Sequence, residues 1–298
     1  MRADAVLLLA FGGPTRPEEI RPFLDNVTRG RRIPPDRLEA VARHYERIGG
    51  RSPLNELTFR QAAGLRRALP ELPVFVGMRN WAPYVDEAMT QMTMAGVRRA
   101  VGIVLSPHAT EASRDRYVES VDAARTAIGP RAPTVVYPAS WHVHPRFVEA
   151  VADGLATARA AVAPDAPVVF TAHSIPTASA DQSPYVRELT ETATAVASVL
   201  GVSRWQLAYQ SRSGNPRDPW LEPDVNDVLR SLAADGARDV VVAPIGFVCD
   251  HVEVLYDLDV EARETAAALG LRFARASTVN DHPAFIAMLA DVVRASAA

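Results

Sequence analysis

Cysteine is almost missing from this sequence, and its scarcity excludes two kinds of protein. Cys249 is the single cysteine among 298 residues. One thiol forms no intramolecular disulfide, so the fold is not one that disulfides hold together. It also cannot supply the four thiolates that usually hold an iron–sulfur cluster. We therefore expect no tightly bound cofactor and no [2Fe–2S] cluster.

Long apolar runs and a large net charge are missing as well. No stretch approaches the roughly 18 apolar residues of a membrane span, and the apolar run at residues 6–10 is too short for the core of a signal peptide. The net charge of −3 provides no basic field that would attract nucleic acid. Neither GxGxxG nor GxxxxGKS/T occurs, which disfavours nucleotide binding. These absences predict a cytoplasmic globular protein without a membrane span or a nucleic-acid partner.

The residues that are present favour an α/β fold. Apolar, β-rich runs alternate with segments of helical periodicity, and most runs are continuous, as in strands buried on both faces of a parallel sheet. This alternation predicts parallel sheets with helices on both faces, in two halves that divide near residues 137–145. The predicted strands are residues 5–11, 73–78, 100–106, 133–139, 167–173, 205–210, 239–247 and 271–276. The predicted helices are approximately residues 17–30, 35–50, 53–69, 82–95, 113–127, 145–163, 183–200, 223–235, 252–269 and 282–296.

Polar side chains follow several of these strands, at the carboxyl ends where open α/β sheets bind ligands. The sharpest case is TAHSIP, in which His173 ends an apolar strand. Its imidazole can accept a proton near neutral pH or bind a metal, and a buried structural histidine is the alternative. Other clusters are either solvated loops or binding groups, since guanidinium groups match carboxylates. They are Arg29, Arg31 and Arg32, then His108, Ser113, Arg114 and Tyr117, and then Ser211 in the loop of residues 209–225.

Three carboxylates form a stripe near the C-terminus. Glu253, Asp257 and Glu261 stand four residues apart, so on a helix they share one face, where like charges repel. A solvated face is one interpretation, and a path for protons or hydrated divalent ions is the other. Because Glu253 stands among apolar residues at a sheet edge, we expect burial to raise its pKa. A buried carboxylate near a histidine would form a pair that transfers protons. A zinc site that includes Cys249 and His251 is disfavoured, because HExxH and CxxC spacings are missing.

Motifs spread over nearly the whole chain resemble those of the ferrochelatase family, whose members insert ferrous iron into a porphyrin. The last three motifs are highly specific together, and the greatest similarity is to the actinobacterial branch. The resemblance implies two Rossmann-like domains around a porphyrin cleft, residues 1–140 and 141–298, with the metal site in the second domain and the final helix packing back on the first. The motifs, in order, are LLLAFGGP, NVTRGRR, YERIGGRSPLNELT, GMRNWAPYVDEAM, IVLSPH, TAHSIP, YQSRSGNPRDPWLEPDV and PIGFVCDHVEVLYDLDVE.

The resemblance also implies roles for particular residues. His173 and Glu253 form the inner catalytic site, where they take two pyrrole protons or hold the metal, and their division of these tasks stays open. Asp257 and Glu261 extend the metal site outward as an acidic ridge. The residues expected to line the porphyrin site and hold its propionates are Phe11, Arg29, Arg31, Ser52, Arg114, Tyr117 and Ser211.

The chain departs from its apparent family at three points. Many actinobacterial members carry cysteines for a cluster, and those cysteines are missing here. Phe11 stands where some members have tyrosine, so no hydroxyl can reach a metal from that position. The apolar membrane-docking lip of the animal enzymes is also missing. Short enzymes of this branch resemble those that use coproporphyrin III, whose four propionates would suit the arginines.

These features predict a lyase, a ferrochelatase of haem biosynthesis that uses Fe²⁺ and coproporphyrin III and makes transient contact with neighbouring enzymes of the pathway. One alternative is a protoporphyrin IX ferrochelatase, and another is a chelatase for cobalt or nickel, which the DPWLEP and GFVCDHVEVLYD motifs disfavour. A non-enzymatic porphyrin carrier could tolerate loss of His173 or Glu253, yet both are present. A two-lobed periplasmic binding protein is the fourth alternative, and the lack of a signal peptide disfavours it.

Overall fold

A computed structural model describes residues 3–30, 33–213 and 218–297, so Arg31 and Arg32 lie outside the described residues. The chain divides into two compact units. Unit 1 comprises Met1–Ser106, Ala112–Ala139 and Phe285–Ala298, and unit 2 comprises Pro107–Glu111 and Ser140–Ala284.

Unit 1 contains a parallel sheet of four described strands, β1 (Ala5–Ala10), β2 (Val74–Met78), β3 (Arg99–Val104) and β4 (Thr134–Val136). They lie side by side in the order β2-β1-β3-β4. In β1, Leu7 is in register with Phe75 of β2 and with Gly102 of β3. Every residue of β1 is buried, so the continuous apolar run forms a strand covered on both faces.

Unit 2 contains a second parallel sheet, whose described strands are β5 (Val168–His173), β6 (Trp205–Gln210), β7 (Asp239–Ala243) and β8 (Arg272–Arg275). Their order is β6-β5-β7-β8. β5 and β6 end level with each other, because His173 is in register with Gln210. Two polar residues therefore meet at the carboxyl edge of this sheet, where α/β proteins bind ligands.

Helices connect the strands and pack against the sheets. They are α1 (Ile20–Val27), α2 (Pro35–Arg47), α3 (Leu54–Ala68), α4 (Val85–Met94), α5 (Arg116–Ile128), α6 (Pro145–Arg159), α7 (Thr177–Asp181), α8 (Tyr185–Leu200), α9 (Val225–Ala234), α10 (Val252–Leu255), α11 (Arg263–Ala268) and α12 (Pro283–Ser296). A 3₁₀ turn, Pro17–Glu19, precedes α1. Two of the described segments are π-helical, Glu111–Asp115 and Asp257–Ala262. In the described part of the chain, no helix is both long enough and apolar enough to cross a bilayer.

The last helix belongs mostly to unit 1, although it follows all of unit 2 in sequence. The Ala3 N–H donates to the Ala297 carbonyl at 3.1 Å, and the Arg294 side chain donates to the Ala68 carbonyl at 3.0 Å. A Cβ added at Gly64 would lie 3.0 Å from the Ile286 side chain. Glycine at this position therefore lets α3 and α12 approach closely.

The predicted α/β class and all eight predicted strands are confirmed, because continuous apolar runs mark buried parallel strands clearly. The helices differ in four places. The predicted helix of residues 17–30 begins with a 3₁₀ turn, and that of residues 113–127 begins with a π-helical segment. The short helix α7 was not predicted. The helix predicted over residues 252–269 is interrupted, since a π-helical segment separates α10 from α11. Apolar periodicity does not distinguish i→i+4 from i→i+5 hydrogen bonding over one turn.

Candidate active site

The candidate site begins at the carboxyl edge of the sheet in unit 2. The Ser174 N–H donates to the Gln210 carbonyl at 2.7 Å, which joins the ends of β5 and β6. Gly246, from the segment that follows β7, approaches so closely that an added Cβ would be 2.6 Å from Ala172 Cβ. Only glycine fits this approach, so the chain after β7 passes directly over the end of β5.

The ring of His173 has a defined orientation. Its Nδ1 donates to the Ser174 carbonyl, and Nε2 lies 3.6 Å from Glu253 Oε1. The Tyr185 hydroxyl donates to the His173 carbonyl at 2.9 Å and fixes the backbone there. A histidine with one nitrogen held by a carbonyl presents the other nitrogen to a proton or a metal. Tyr185 was not predicted as a site residue.

Glu253 lies between two histidines. Its Oε1 faces His173, and its Oε2 lies 3.4 Å from His251 Nε2. The opposite nitrogen of His251 is 3.1 Å from the Cys249 carbonyl, which orients the ring. The Gln210 side chain donates to the backbone carbonyl of Glu253. Neither His251 nor Gln210 was among the predicted site residues, although His251 stands only two positions before Glu253.

The pKa values of this cluster follow from its charges. Burial alone lowers the pKa of His173, but the Glu253 carboxylate outweighs burial and raises the pKa to about 9. Burial raises the pKa of Glu253, but His173 and His251 outweigh it and hold the pKa well below its ordinary value. The prediction of a raised Glu253 pKa is therefore wrong, because the charge and hydrogen bond of His173, with a smaller contribution from His251, outweigh the effect of burial. At neutral pH the pair is an imidazolium beside a carboxylate.

The carboxylate stripe continues along a helix whose hydrogen bonding changes. Glu253 lies in α10, and Asp257 and Glu261 lie in the π-helical segment. The Glu261 N–H donates to the Tyr256 carbonyl, five residues earlier, at 2.9 Å. The residue that follows each carboxylate is apolar and packs into the core of unit 2, so these residues repeat at the same four-residue spacing. The buried residues at this spacing are Val254, Leu258, Ala262 and Ala266. Such π-helical turns occur frequently at functional sites.

The two outer carboxylates are easier to protonate than ordinary ones. Burial raises the pKa of Asp257 to about 7, and repulsion from Glu253 and Glu261 adds to this effect. The Ser211 hydroxyl donates to Asp257 and opposes the rise. Burial also raises the pKa of Glu261, and Asp224 adds to it. Asp257 can therefore exchange a proton near neutral pH, and an approaching cation would favour its ionised form.

No resident metal site is evident in the part of the chain that the structure describes, where no group of three His, Cys, Asp or Glu side chains is arranged to hold a metal ion. Asp250, which stands between Cys249 and His251, forms an ion pair with Arg275 at 3.0 Å. The assignment of His173, Glu253, Asp257 and Glu261 as residues that handle a passing metal stays a prediction.

In unit 1, the structure brings together two of the residues predicted to bind porphyrin. Phe11 follows β1 and is 40% exposed, whereas Tyr117 in α5 is buried, which raises the pKa of its hydroxyl to about 12. The Arg79 guanidinium lies 5.8 Å from the centroid of the Phe11 ring and 5.5 Å from that of Tyr117. Arg79 follows β2, so it stands at the carboxyl edge of this sheet, and it was not predicted as a site residue.

The other predicted porphyrin-binding residues are more widely distributed. Ser52 is buried, with its N–H donating to the Pro14 carbonyl at 2.8 Å. Arg29 and Arg114 are exposed, and Arg31 lies outside the described residues. Ser211 belongs to unit 2, where it bonds to Asp257. None of these positions tests a contact with porphyrin, so all seven assignments stay predictions.

Comparison with known sequences gives a consistent result over the whole chain. The family model described as Ferrochelatase matches residues 3–297. The chain is 50% identical over 288 residues to the coproporphyrin III ferrochelatase of Mycobacterium tuberculosis strain H37Rv, covering 96% of this chain and 83% of the relative. It is 48% identical to the coproporphyrin III ferrochelatase of Mycolicibacterium paratuberculosis, covering 98% and 88%.

Comparison with solved structures supports the fold alone. SirB from Bacillus subtilis, solved with Fe³⁺, has a TM-score of 0.63 to this chain at 13% identity, covering 99% of this chain and 95% of SirB. The cobalt complex of the sirohydrochlorin chelatase SirB from Bacillus subtilis subspecies spizizenii has a TM-score of 0.58 at 14% identity, covering 98% and 94%.

Proposed function

Because the chain belongs to the ferrochelatase family, we propose that it inserts Fe²⁺ into coproporphyrin III in haem biosynthesis. The mycobacterial relatives that carry this activity in their names share about half of its residues. The observation that carries the proposal is the pair of His173 and Glu253, 3.6 Å apart at the carboxyl edge of a parallel sheet.

The reaction brings in a dication and releases two protons from the pyrrole nitrogens. Glu253 is ionised in the substrate-free protein, whereas His173 holds a proton. Glu253 is therefore the group that first attracts Fe²⁺, and the arriving charge lowers the pKa of His173. His173 releases its own proton outward, and the neutral imidazole that results accepts the two pyrrole protons in turn, passing the first outward before it takes the second. Asp257, with a pKa of about 7, can pass protons outward.

The porphyrin contacts form a second part of the proposal. The exposed ring of Phe11 offers an apolar face to the macrocycle, and the exposed guanidinium groups of Arg29 and Arg114 suit propionates. Ser52, Tyr117 and Ser211 complete the set, together with Arg31, whose assignment rests on the resemblance of its motif.

The proposal also covers the setting of the enzyme. Fe²⁺ is a substrate, and no [2Fe–2S] cluster is included, since Cys249 is the single thiol in the sequence and is buried. We place the reaction in the cytoplasm, with transient contact to the enzymes that supply the porphyrin and receive the product.

The test is anaerobic insertion followed by absorbance, with coproporphyrin III and protoporphyrin IX as competing substrates. Faster turnover of coproporphyrin III per unit concentration supports the proposal. Preference for protoporphyrin IX would instead indicate a protoporphyrin IX ferrochelatase. Tight binding of either porphyrin without insertion would indicate a carrier.

The role of His173 has its own test. His173→Ala should abolish insertion and leave the porphyrin dissociation constant unchanged, because the ring acts on protons and metal. The matched control is His282→Ala, which removes another unit 2 histidine that pairs with Asp153 at 3.3 Å. Normal turnover in the first variant, or equal loss in both, would contradict the assigned role.

A further inference from the structure

The Arg275 side chain joins Asp250, which precedes the stripe of Glu253, Asp257 and Glu261, to Asp259, which lies between the last two of them. Its Nε and Nη2 donate to the two oxygens of Asp259 at 2.9 and 2.7 Å, a paired arrangement that only a guanidinium can make. Its Nη1 donates to Asp250 at 3.0 Å. The side chain is only 12% exposed. Arg275 therefore connects the residue before His251 to the middle of the π-helical segment.

The Asp250 end of this connection is held by a small network. The Thr278 hydroxyl donates to Asp250 at 3.2 Å, and the Asn280 side chain donates to it at 3.3 Å. The Asp250 N–H donates to the Asn280 side-chain oxygen at 3.0 Å. Asn280 has a φ of +44°, a left-handed conformation that asparagine tolerates better than most residues. The loop after β8 is thus shaped to hold Asp250.

The Asp259 end lies inside the segment whose hydrogen bonding is irregular. Asp259 stands between Asp257 and Glu261 in sequence. A π-helical turn is rare and frequently lies at a functional site, so a contact that fixes its position bears on function. The bidentate bond from Arg275 is such a contact, because it ties the π-helical segment to β8 in the sheet.

We infer that Arg275 is a positioning residue that holds Glu253 in line with Asp257 and Glu261, and so sets how a divalent cation passes along these carboxylates. This inference rests on the proposed function. A merely stabilising ion pair is the competing explanation. Well-packed apolar side chains can often replace a buried ion pair without loss of stability, so the arrangement is better explained by the geometry it maintains than by stability.

The first experiment compares Arg275→Gln and Arg275→Lys with a matched control. The control is Arg272→Gln. Arg272 lies on the same strand and also pairs with an aspartate, Asp239, but it is 63% exposed, and Asp239 does not belong to the stripe or to the π-helical segment. For Arg275→Gln we expect the KM for Fe²⁺ to rise about 10-fold or more, as for other residues that orient metal ligands. The porphyrin dissociation constant should stay unchanged.

Arg275→Lys should give an intermediate KM for Fe²⁺, because lysine keeps the positive charge but cannot donate two parallel hydrogen bonds to one carboxylate. Arg272→Gln should match the wild type. The inference fails if Arg275→Gln lowers only the unfolding temperature and leaves the KM unchanged, or if the control raises the KM equally. If Arg275→Gln does not fold, Asp259→Asn replaces it, with the same expected rise in KM.

A measurement without turnover separates this inference from the proposed function. Titration calorimetry with Zn²⁺ and porphyrin-free protein reports cation binding directly. Weaker Zn²⁺ binding in Arg275→Gln than in the wild type supports the positioning role even if the wild type inserts iron into neither porphyrin. Identical Zn²⁺ binding in the wild type and in Arg275→Gln overturns it, whatever porphyrin the enzyme uses.

Discussion

Glu253→Gln should lower the pKa of His173 by more than 2 pH units. In the intact protein the Glu253 carboxylate, 3.6 Å from Nε2, raises that pKa to about 9 against the opposing effect of burial. Without the carboxylate only burial and weaker partners remain, so the pKa should fall below the ordinary 6.5. This is a more than hundredfold loss of proton affinity, since each pH unit is a factor of ten.

The assay is an NMR titration of the histidine Cε1–H signals, with the His173 signal assigned from His173→Ala. Glu261→Gln is the matched control, because the groups that raise the pKa of His173 are Glu253, Ser174 and Asp257. A His173 pKa that stays near 9 in Glu253→Gln would refute the account of the pair and, with it, the order in which Fe²⁺ and protons move.

The same pair makes stability depend on pH with a defined sign. The raised His173 pKa contributes stability that is complete below pH 6.5 and disappears as the pH rises through about 9. The lowered Glu253 pKa contributes stability that is complete above pH 4.5 and disappears in acid. The rise of the His173 pKa from 6.5 to about 9 corresponds to about 3 kcal/mol of stability. Because Glu253 is a third exposed, solvent screens the interaction, and we expect the pair to contribute about 1 kcal/mol to the free energy of unfolding. Denaturant unfolding of wild type and Glu253→Gln should differ most between pH 4.5 and 6.5 and least above about pH 9.

Two further predictions concern the outer carboxylates and the close approach over β5. Asp257→Asn combined with Glu261→Gln should raise the KM for Fe²⁺ about 10-fold without changing porphyrin binding, and unchanged kinetics at low iron would reduce the stripe to a solvated face. Gly246→Ala should cost about 1–3 kcal/mol in denaturant unfolding, because its Cβ would lie 2.8 Å from the Ala172 Cα. Gly102→Ala should cost less, since its Cβ meets side-chain atoms of Val135 and Tyr137 that can shift, and an equal cost would contradict this reasoning.

The strands were predictable from the sequence for a simple physical reason. A parallel strand covered on both faces needs apolar residues throughout, so β1, β5 and β7 appear as continuous runs. His173 was predictable for a related reason, because it is the first ionisable residue of such a run and stands at its end. The short helix α7 was not predictable, since five residues carry too little periodicity.

The shared position of His173 and the carboxylate stripe was predictable, but their partners His251 and Gln210 and their charge states were not. Spacing placed Glu253, Asp257 and Glu261 on one face, and the structure keeps them on one continuous helical segment despite the π-helical turn. The sign of the Glu253 pKa shift depended on His173 first and on His251 second, whose ring position is set by the Cys249 carbonyl. Side-chain orientation of this kind follows from tertiary contacts and leaves no periodic pattern.

The lowered pKa of Glu253, in place of the raised pKa predicted from the sequence, changes the chemistry that the site can perform. A carboxyl group with a raised pKa would be neutral at physiological pH and would attract Fe²⁺ weakly. With its pKa lowered by two imidazoles, Glu253 carries a full negative charge, and the nearest proton sits on His173 instead. In the proposed reaction, cation entry and proton release become one coupled event, because the charge that binds to Glu253 is the charge that displaces the proton from His173. Mutation of either residue should therefore impair both steps together, which single-residue roles for base and ligand would not predict.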